Sequence, residues 1–512
     1  MEADAPLPDD VPTLQAMVRD LQANVLEQAA HFQKRIDDLQ AEVASLQTQL
    51  ATAKKDRFGR KSERTKRTPK PEKPSKPKHK HGRAPLAEHL ERRDTILDLT
   101  ADEQLCPCCQ QPRVCIGQTE TEQLDREPMV FFVRRTIRKT YACQHCSTDV
   151  PAEQRIPTAT PSTVGPIDKG LCGPGLLADV IVAKFLDHIP LHRQVGIIAR
   201  SGMTIAESTL GDWVQQAAKL VTPLCQLMQQ MVVACSVAWS DNTRSRFAQP
   251  GEQTMPKGHF WTTIGEATAP FTIFHFTTGS AAATGPDQFL AGFRGYLHAD
   301  GLAQYNHVFA QGAKHVACWA HARRKFLEAG DSGKVPFEFI QKLYRIEQNL
   351  PPPDTPEQIA QRKSARKLRS IPILSELKIW LDSTGATLLP KDALAIAIRS
   401  VLNRWDAFVR YTEDGRLLMD NNLSERTLRL IAVGRANWKF VGSAKAGERA
   451  ALLYTLTGTC RHLGLDAWAY LRDVLPALHA LSATGAQPTD DQLRPLLPNI
   501  WANRQTSQRK AA

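Results

Sequence analysis

The chain contains no apolar run approaching the ~18 residues that a membrane-spanning helix needs, so a membrane role is not expected. Its first ten residues, Met-Glu-Ala-Asp-Ala-Pro-Leu-Pro-Asp-Asp, lack the basic and apolar stretches of a secretory or mitochondrial signal, and the expected location is cytoplasmic. Evenly paired cysteines are also missing. There are eleven, an odd number unevenly spread, which excludes a disulfide scaffold and points to a reducing compartment. Net positive charge is scarce outside one segment. The net charge is +12, and residues 54–83 carry 14 Lys/Arg against Asp56, Glu63 and Glu72, a net of +11. Such concentration suits a basic tether for a polyanion better than a uniformly basic globule. At 512 residues the chain exceeds what one core organises, so three or more domains are expected.

What is present begins with heptads. Leu14, Val18, Leu21, Val25, Phe32, Ile36, Leu39, Val43, Leu46 and Leu50 recur at alternating steps of four and three. Gln28 fills one slot, and the 4-4 step through Phe32 makes a single stutter. Leu at d and β-branched Val or Ile at a favour a parallel two-stranded coiled coil, so residues 1–53 are read as a homodimerisation helix. Residues 54–90 follow as a basic Pro/Lys-rich linker. Pro69, Pro71, Pro74 and Pro77 keep it extended, and Arg57, Arg60, Lys61 and Arg64 are candidates for sequence-blind phosphate contact.

Residues 91–150 hold two C-x2-C pairs, Cys106/Cys109 and Cys143/Cys146, with 33 residues between them. Two such turns can close a four-thiolate tetrahedral site, so a structural Zn²⁺ is expected there. Cys108 competes in register with Cys109, and Cys115 and His145 stand nearby. Val130–Val133 and Thr136–Tyr141 look like the strands of a zinc ribbon.

Residues 151–230 read as helices. An apolar helix over Leu176–Phe185 and a second opening at Pro190 precede a Ser201-Gly202 turn. A third helix begins near Ser208, with Thr204 or Ser208 as its cap. This is the helix-turn-helix pattern, with Gln194, Arg200, Ser208 and Thr209 as exposed DNA-reading candidates.

From Met231 the pattern turns to strands: one ending at Asp241, one over His259–Ile264, one over Phe271–Phe276. A helical stretch at 285–294 is followed by a short strand ending in Asp300 and another over Lys314–Cys318. Three antiparallel strands, a helix and two more strands is the order of an RNase H-like domain. The fold class is therefore multidomain α+β. The catalytic domain spans 231–330 and 406–482, with an all-helical insertion at 331–405 and a weakly structured tail at 483–512.

The stretch Asp420-Asn421-Asn422-Leu-Ser-Glu425-Arg426, continuing to Gly434-Arg435-Ala-Asn437-Trp438-Lys439-Phe440-Val-Gly442-Ser443, begins like a capped helix with Glu425 and Arg429 as an i,i+4 pair. It also resembles the Asp-Asn-Asn-x-x-Glu-Arg…Gly-Arg-x-Asn-Trp-x-Phe-x-Gly-Ser signature of the IS66-type bacterial insertion-sequence transposases. Asp241-x-Thr and Asp300-Gly-x-x-x-Tyr305 resemble that family's two Asp motifs, and Cys318-Trp-Ala-His321 its Cys-x-x-His element. Three positions depart from the family pattern: Asn242, Leu302 and Ala436.

The resemblance implies a DDE transposase whose Asp241, Asp300 and Glu425 hold Mg²⁺ (or Mn²⁺), supported by Cys318, His321, Asn421 and Asn422. Arg426, Arg429, Arg435 and Lys439 would contact phosphate. Carboxylates suit this chemistry because two hard cations, about 3.5–4 Å apart, can serve the attacking and leaving oxygens of an in-line displacement at phosphorus. Its partners would be the element's terminal repeats, target DNA, a second copy of the chain and small accessory proteins, with a place on the nucleoid. The competing readings are a non-catalytic dimeric zinc and helix-turn-helix DNA-binding protein, an inactivated transposase, and an RNase H-type nuclease without strand transfer.

Overall fold

The structure is a computed structural model that describes residues 10–58, 131–133, 165–167, 172–279, 285–483 and 485–511. The four cysteines of the two pairs and Arg60, Lys61 and Arg64 lie outside the described residues. The chain divides into two compact units, 1–125 and 126–512.

The described part of the first unit is one helix, α1 (Val11–Phe58), of 48 residues. At 1.5 Å per residue it is about 70 Å long. Its heptad residues Val18, Leu21, Val25, Phe32, Ile36, Leu39 and Val43 are all exposed.

The second unit opens with helices α2 (Pro174–Phe185), α3 (Leu191–Arg200) and α4 (Glu207–Val233). The α3–α4 turn uses Gly202 at φ +84°, a conformation glycine adopts without a Cβ clash. Two expectations change here. The N-cap of α4 is Ala206, with no side-chain cap, in place of Thr204 or Ser208. Gln194 is buried, because its amide donates to Val180 O (3.3 Å) and Ile189 O (2.9 Å) and so ties α3 to α2. Arg200, Ser208 and the half-buried Thr209 remain accessible.

The sheet holds β1 (Val237–Arg246), β2 (Lys257–Gly265), β3 (Thr272–Thr278), β4 (Tyr296–Ala299) and β5 (Lys314–Ala317), in the order β3-β2-β1-β4-β5. β1, β2 and β3 pair antiparallel, while β4 runs parallel to β1 and β5 parallel to β4. β1 does not stop at Asp241. Its ladder with β2 continues to Arg246↔Lys257, which carries the strand past the first carboxylate. The stretch expected to be helical at 285–294 contains only a short helix, Pro286–Phe289. Phe131–Val133 is not in a strand; Phe132 and Val133 are exposed, and Phe131 packs on the core.

After β5 come α5 (Trp319–Glu328), α6 (Lys334–Gln348), α7 (Pro356–Ala365), a π-helical turn at Arg366–Ser370, α8 (Ile371–Gly385) and α9 (Ala393–Leu402). The signature forms α10 (Asn422–Trp438), followed by α11 (Ala444–His462), α12 (Ala467–Ser482) and α13 (Pro498–Ala511). The last thirty residues are therefore not weakly structured throughout. Leu493, Leu496, Leu497 and Trp501 are buried in the same core as α2, α4, α11 and α12.

Strand alternation assigns the two faces of β1. Val237 and Trp239 join a core built with α5, α6, α8 and α9, whereas Ala238 packs with Trp261 and Leu297 on the other face. Asp241 continues the first series and Asn242 the second.

Candidate metal centre

The parallel register of β1 and β4 brings two carboxylates to one level. Trp239 pairs with His298; Asp241 and Asp300 lie two residues further along their chains, at the same edge of the sheet. Asp241 is buried and its Oδ1 accepts from Asn242 N at 2.7 Å. Leu302 N donates to Asp300 Oδ1 at 3.3 Å. Burial, then the charge of Asp300, and to a lesser degree that of Glu425, push the Asp241 carboxyl up to about 7, against the Asn242 N–H. The Asp300 carboxyl is also raised, by burial first and by Glu425, while the Leu302 N–H, His321 and Arg404 act the other way.

Glu425 arrives from the first turns of α10, whose start is fastened on three sides. Asn421 is fully buried; its Nδ2 donates to Ser240 O (2.9 Å) on β1, and its backbone N–H reaches Cys318 Sγ (3.2 Å). Trp319 N donates to Met419 O at 3.0 Å, and Leu418 N lies 3.4 Å from His298 Nε2. Asn421 is the N-cap residue, yet its side chain does not cap. Asp420 takes that role, with Oδ1 accepting from Asn422 N at 3.2 Å and Oδ2 from Asn422 Nδ2 at 2.7 Å. Asn421 thus serves the strand and Asn422 serves Asp420.

Glu425 forms no ion pair with Arg429. Its Oε1 lies 3.5 Å from His321 Nε2 and is buried without a hydrogen-bond partner. The ligand atoms of Cys318, His321 and Glu425 all lie within 4.8 Å of one another. Burial pushes the Cys318 thiol up to about 12. The thiol sulfur accepts from Asn421 N–H and so supports the helix start.

The remaining candidates divide. Arg426, Arg429 and Lys439 are exposed on α10 or just beyond it. Arg435 is partly committed: its Nη1 donates to Thr243 Oγ1 (3.3 Å) and to the Arg244 carbonyl, tying α10 to β1. Lys439 has φ +62° and ψ −52°, and Phe440 N donates to Trp438 O at 2.7 Å, so Trp438–Phe440 is a γ-turn of the strained positive-φ kind. Val441 then pairs with the end of β1 (Val441 N to Arg246 O, 2.8 Å), and Ser443 caps α11 through Ala446 N (3.1 Å).

At the departures from the family pattern the side chains stand off the carboxylates, although the backbone N–H groups of Asn242 and Leu302 donate to Asp241 and Asp300. Asn242 faces the opposite side of the sheet and lies 3.2 Å from His259 Nδ1. The Leu302 side chain packs against the Trp261 core, and Ala436 is exposed. Two contributors were not singled out from sequence. His298 is buried and stacks on Trp239, and Arg404 sits against Gly301. Ser240 joins Tyr305 OH (3.0 Å) to Thr262 O (2.9 Å) beneath Asp241.

Carboxylates from a central strand, a neighbouring strand end and a helix, converging until their charges oppose one another, make a candidate centre for a hard divalent cation. Residues 169–449 match the family model described as "Transposase IS66 family", and residues 103–147 match the "zinc-finger binding domain of transposase IS66". Sinorhizobium fredii carries similar proteins. "Uncharacterized protein y4jD" is 30% identical over 98% of both chains, and "Uncharacterized protein y4hP" is 29% identical over 82% of this chain and 77% of its own. The chain belongs to the IS66 transposase family, and its zinc-finger domain supports a structural zinc. No described helix is long and apolar enough to cross a membrane.

Proposed function

We propose that the chain is a DDE transposase that cuts the ends of its own insertion sequence and joins them to target DNA. The observation that carries this reading is the convergence of Asp241, Asp300 and Glu425, where burial first and then the charges of Asp300 and Glu425 drive Asp241 up to about 7. A buried Glu425 Oε1 that has His321 at 3.5 Å but no hydrogen bond, and two carboxylates raised by burial, fit a divalent cation as counter-charge. Mg²⁺ bound there supplies Lewis acidity to the oxygens of an in-line displacement. The protein's own groups position and shield. Asn421 and Cys318 fix the helix start, and His321 sets the Glu425 carboxylate.

In the cleavage step water attacks phosphorus, the P–O3′ bond breaks, and the departing oxygen takes a proton to become a free 3′-hydroxyl. In the joining step that hydroxyl attacks a target phosphodiester and displaces its 3′ oxygen. No covalent enzyme–DNA bond is required.

The sheet order β3-β2-β1-β4-β5 and the intervening helices α6–α9 support an RNase H-like domain with a helical insertion. Cys106, Cys109, Cys143 and Cys146 are the proposed zinc ligands within the matched zinc-finger domain. The exposed heptad stripe of α1 supports a homodimer through a parallel coiled coil. The basic linker, with Arg57, Arg60, Lys61 and Arg64, and the α3–α4 pair, with Arg200, are proposed to hold DNA. Accessory proteins of the same element and association with the nucleoid belong to the same reading.

The test is Mg²⁺-dependent nicking of DNA bearing the element's ends, comparing the natural chain with Asp300→Asn. Nicking that disappears in the variant while DNA binding persists is the expected result. Binding without nicking by both proteins, with accessory proteins supplied, would leave a DNA-binding regulator.

A further inference from the structure

Gly301 directly follows Asp300. A Cβ built on it would fall on the guanidinium of Arg404, against its Nη1 and Cζ. The guanidinium therefore lies against Gly301, beside the second carboxylate. Arg404 stands two residues beyond α9, so it comes from the far end of the helices that separate Asp300 from Glu425.

Its hydrogen bonding is one-sided. Nε and Nη2 donate to Ser400 O at 3.3 and 3.2 Å, closing back onto α9. Nη1 donates to no described residue, and among the described residues no carboxylate oxygen forms an ion pair with the group, although the Asp300 charge acts on it. Lys325, exposed on α5, also forms no ion pair among the described residues. Burial first, and then the charge of Arg404, hold its ammonium below the ordinary range, against the charge of Glu328. The two cations stand close enough to oppose each other; Arg404 also feels the charge of Asp300 and Lys325 that of Glu328, yet neither forms an ion pair among the described residues.

We propose that Arg404, with Lys325 beside it, binds a phosphate of the DNA strand that lies across Asp300. Planar guanidinium donors suit the non-bridging oxygens of a phosphodiester, and Gly301 is the residue that lets the group approach the backbone so closely. The inference rests on the transposase reading for the identity of the polyanion. It adds that the helices before α10 supply a strand-holding cation at the centre itself.

The experiment measures binding of the full chain to duplex carrying the element's ends, in Ca²⁺, across a range of salt. Arg404→Gln should lower the slope of log K against log salt by about one, whereas Arg404→Lys should keep it. A scan of single neutral methylphosphonates should find one position that weakens the natural protein about tenfold or more and does not weaken Arg404→Gln further. Melting curves of the variants confirm that they fold, and Lys325→Gln, altered at an exposed position, should also reduce the slope. An unchanged slope in both Gln variants, or methylphosphonate penalties that multiply with Arg404→Gln at every position, would overturn the inference. Cleavage by the same natural protein in Mg²⁺ is scored separately, so a failure of the transposase reading registers there and leaves the phosphate contact to be judged from binding.

Discussion

Asp241 shows most plainly what the site costs the protein. Its carboxyl is raised from the usual 3.8 to about 7 in the fold. The folded protein therefore holds more protons than the unfolded chain between these values. The stabilisation that the neutral form provides is full below pH ~3.8 and is lost as pH rises through ~7. Asp241→Asn removes the buried charge and keeps the shape. It should stabilise the metal-free protein at pH 8 by up to about 4 kcal/mol, the equivalent of a ~3-unit shift, and have little effect at pH 4. Urea melts at both pH values measure this. Mg²⁺ at pH 8 should raise the natural protein's stability more than the variant's.

The same residues show what the sequence could reveal. Asp241, Asp300 and Glu425 were recognisable because each sits in a short motif. Arg404 carries no motif and meets Asp300 only through the fold. Glu425 pairs by spacing with Arg429, but the fold turns it toward His321. Gln194 looked exposed because helical periodicity does not reveal the carbonyls of Val180 and Ile189 that capture its amide.

At the scale of elements, the helices between β5 and α10 are bolted to the signature by one buried network. Arg366 is fully buried and donates to both carboxylate oxygens of Glu347 (2.8 Å each) and to the carbonyls of Tyr411, Asp414 and Leu417 (2.7, 2.9 and 2.8 Å). Arg362 adds bonds to Glu347 (2.9 Å) and Gly415 O (2.7 Å). The π-helical turn beginning at Arg366 lies in the same place. Removing Arg366 leaves Glu347 with Arg362 as its one described cation and takes the Arg366 donors from the carbonyls of Tyr411, Asp414 and Leu417, so Arg366→Met should cost about 3–5 kcal/mol in a denaturant titration. The loss should be accompanied by weaker protection of the 411–417 amides from hydrogen exchange.

The γ-turn at Lys439 is the second element with stored energy. A non-glycine residue at positive φ costs about 1–3 kcal/mol, so Lys439→Gly should raise stability by about 1 kcal/mol and weaken DNA binding. Equal DNA affinity at higher stability would mean that the lysine is not a contact. Element order was readable because strands and helices differ in apolar period. Boundaries were less so: β1 runs five residues past Asp241 because its polar residues still have β2 as a partner, and α13 looked like tail because its few apolar residues pair with distant helices.

For the whole molecule, the sequence shows a division of labour and the structure supplies the reason for its centre. The sheet brings Asp241 and Asp300 together through the β1–β4 register, and the long helical interval returns the chain so that α10 can lay Glu425 beside them. The exposed heptads of α1 and the matched zinc-finger domain are parts whose roles the fold of residues 172–511 does not itself require.

The central claim is that these three carboxylates act as one divalent-metal centre for DNA cutting and joining. Its most direct test is strand transfer in Mg²⁺, using a pre-cut element end with a free 3′-hydroxyl and a circular target, for the natural chain and for Asp241→Asn, Asp300→Asn and Glu425→Gln. The account predicts joined product from the natural chain and a loss on the order of 10³-fold or more in each variant, with end binding retained, because removing any one ligand disables the shared site. Joining that survives in any of the three variants would contradict it.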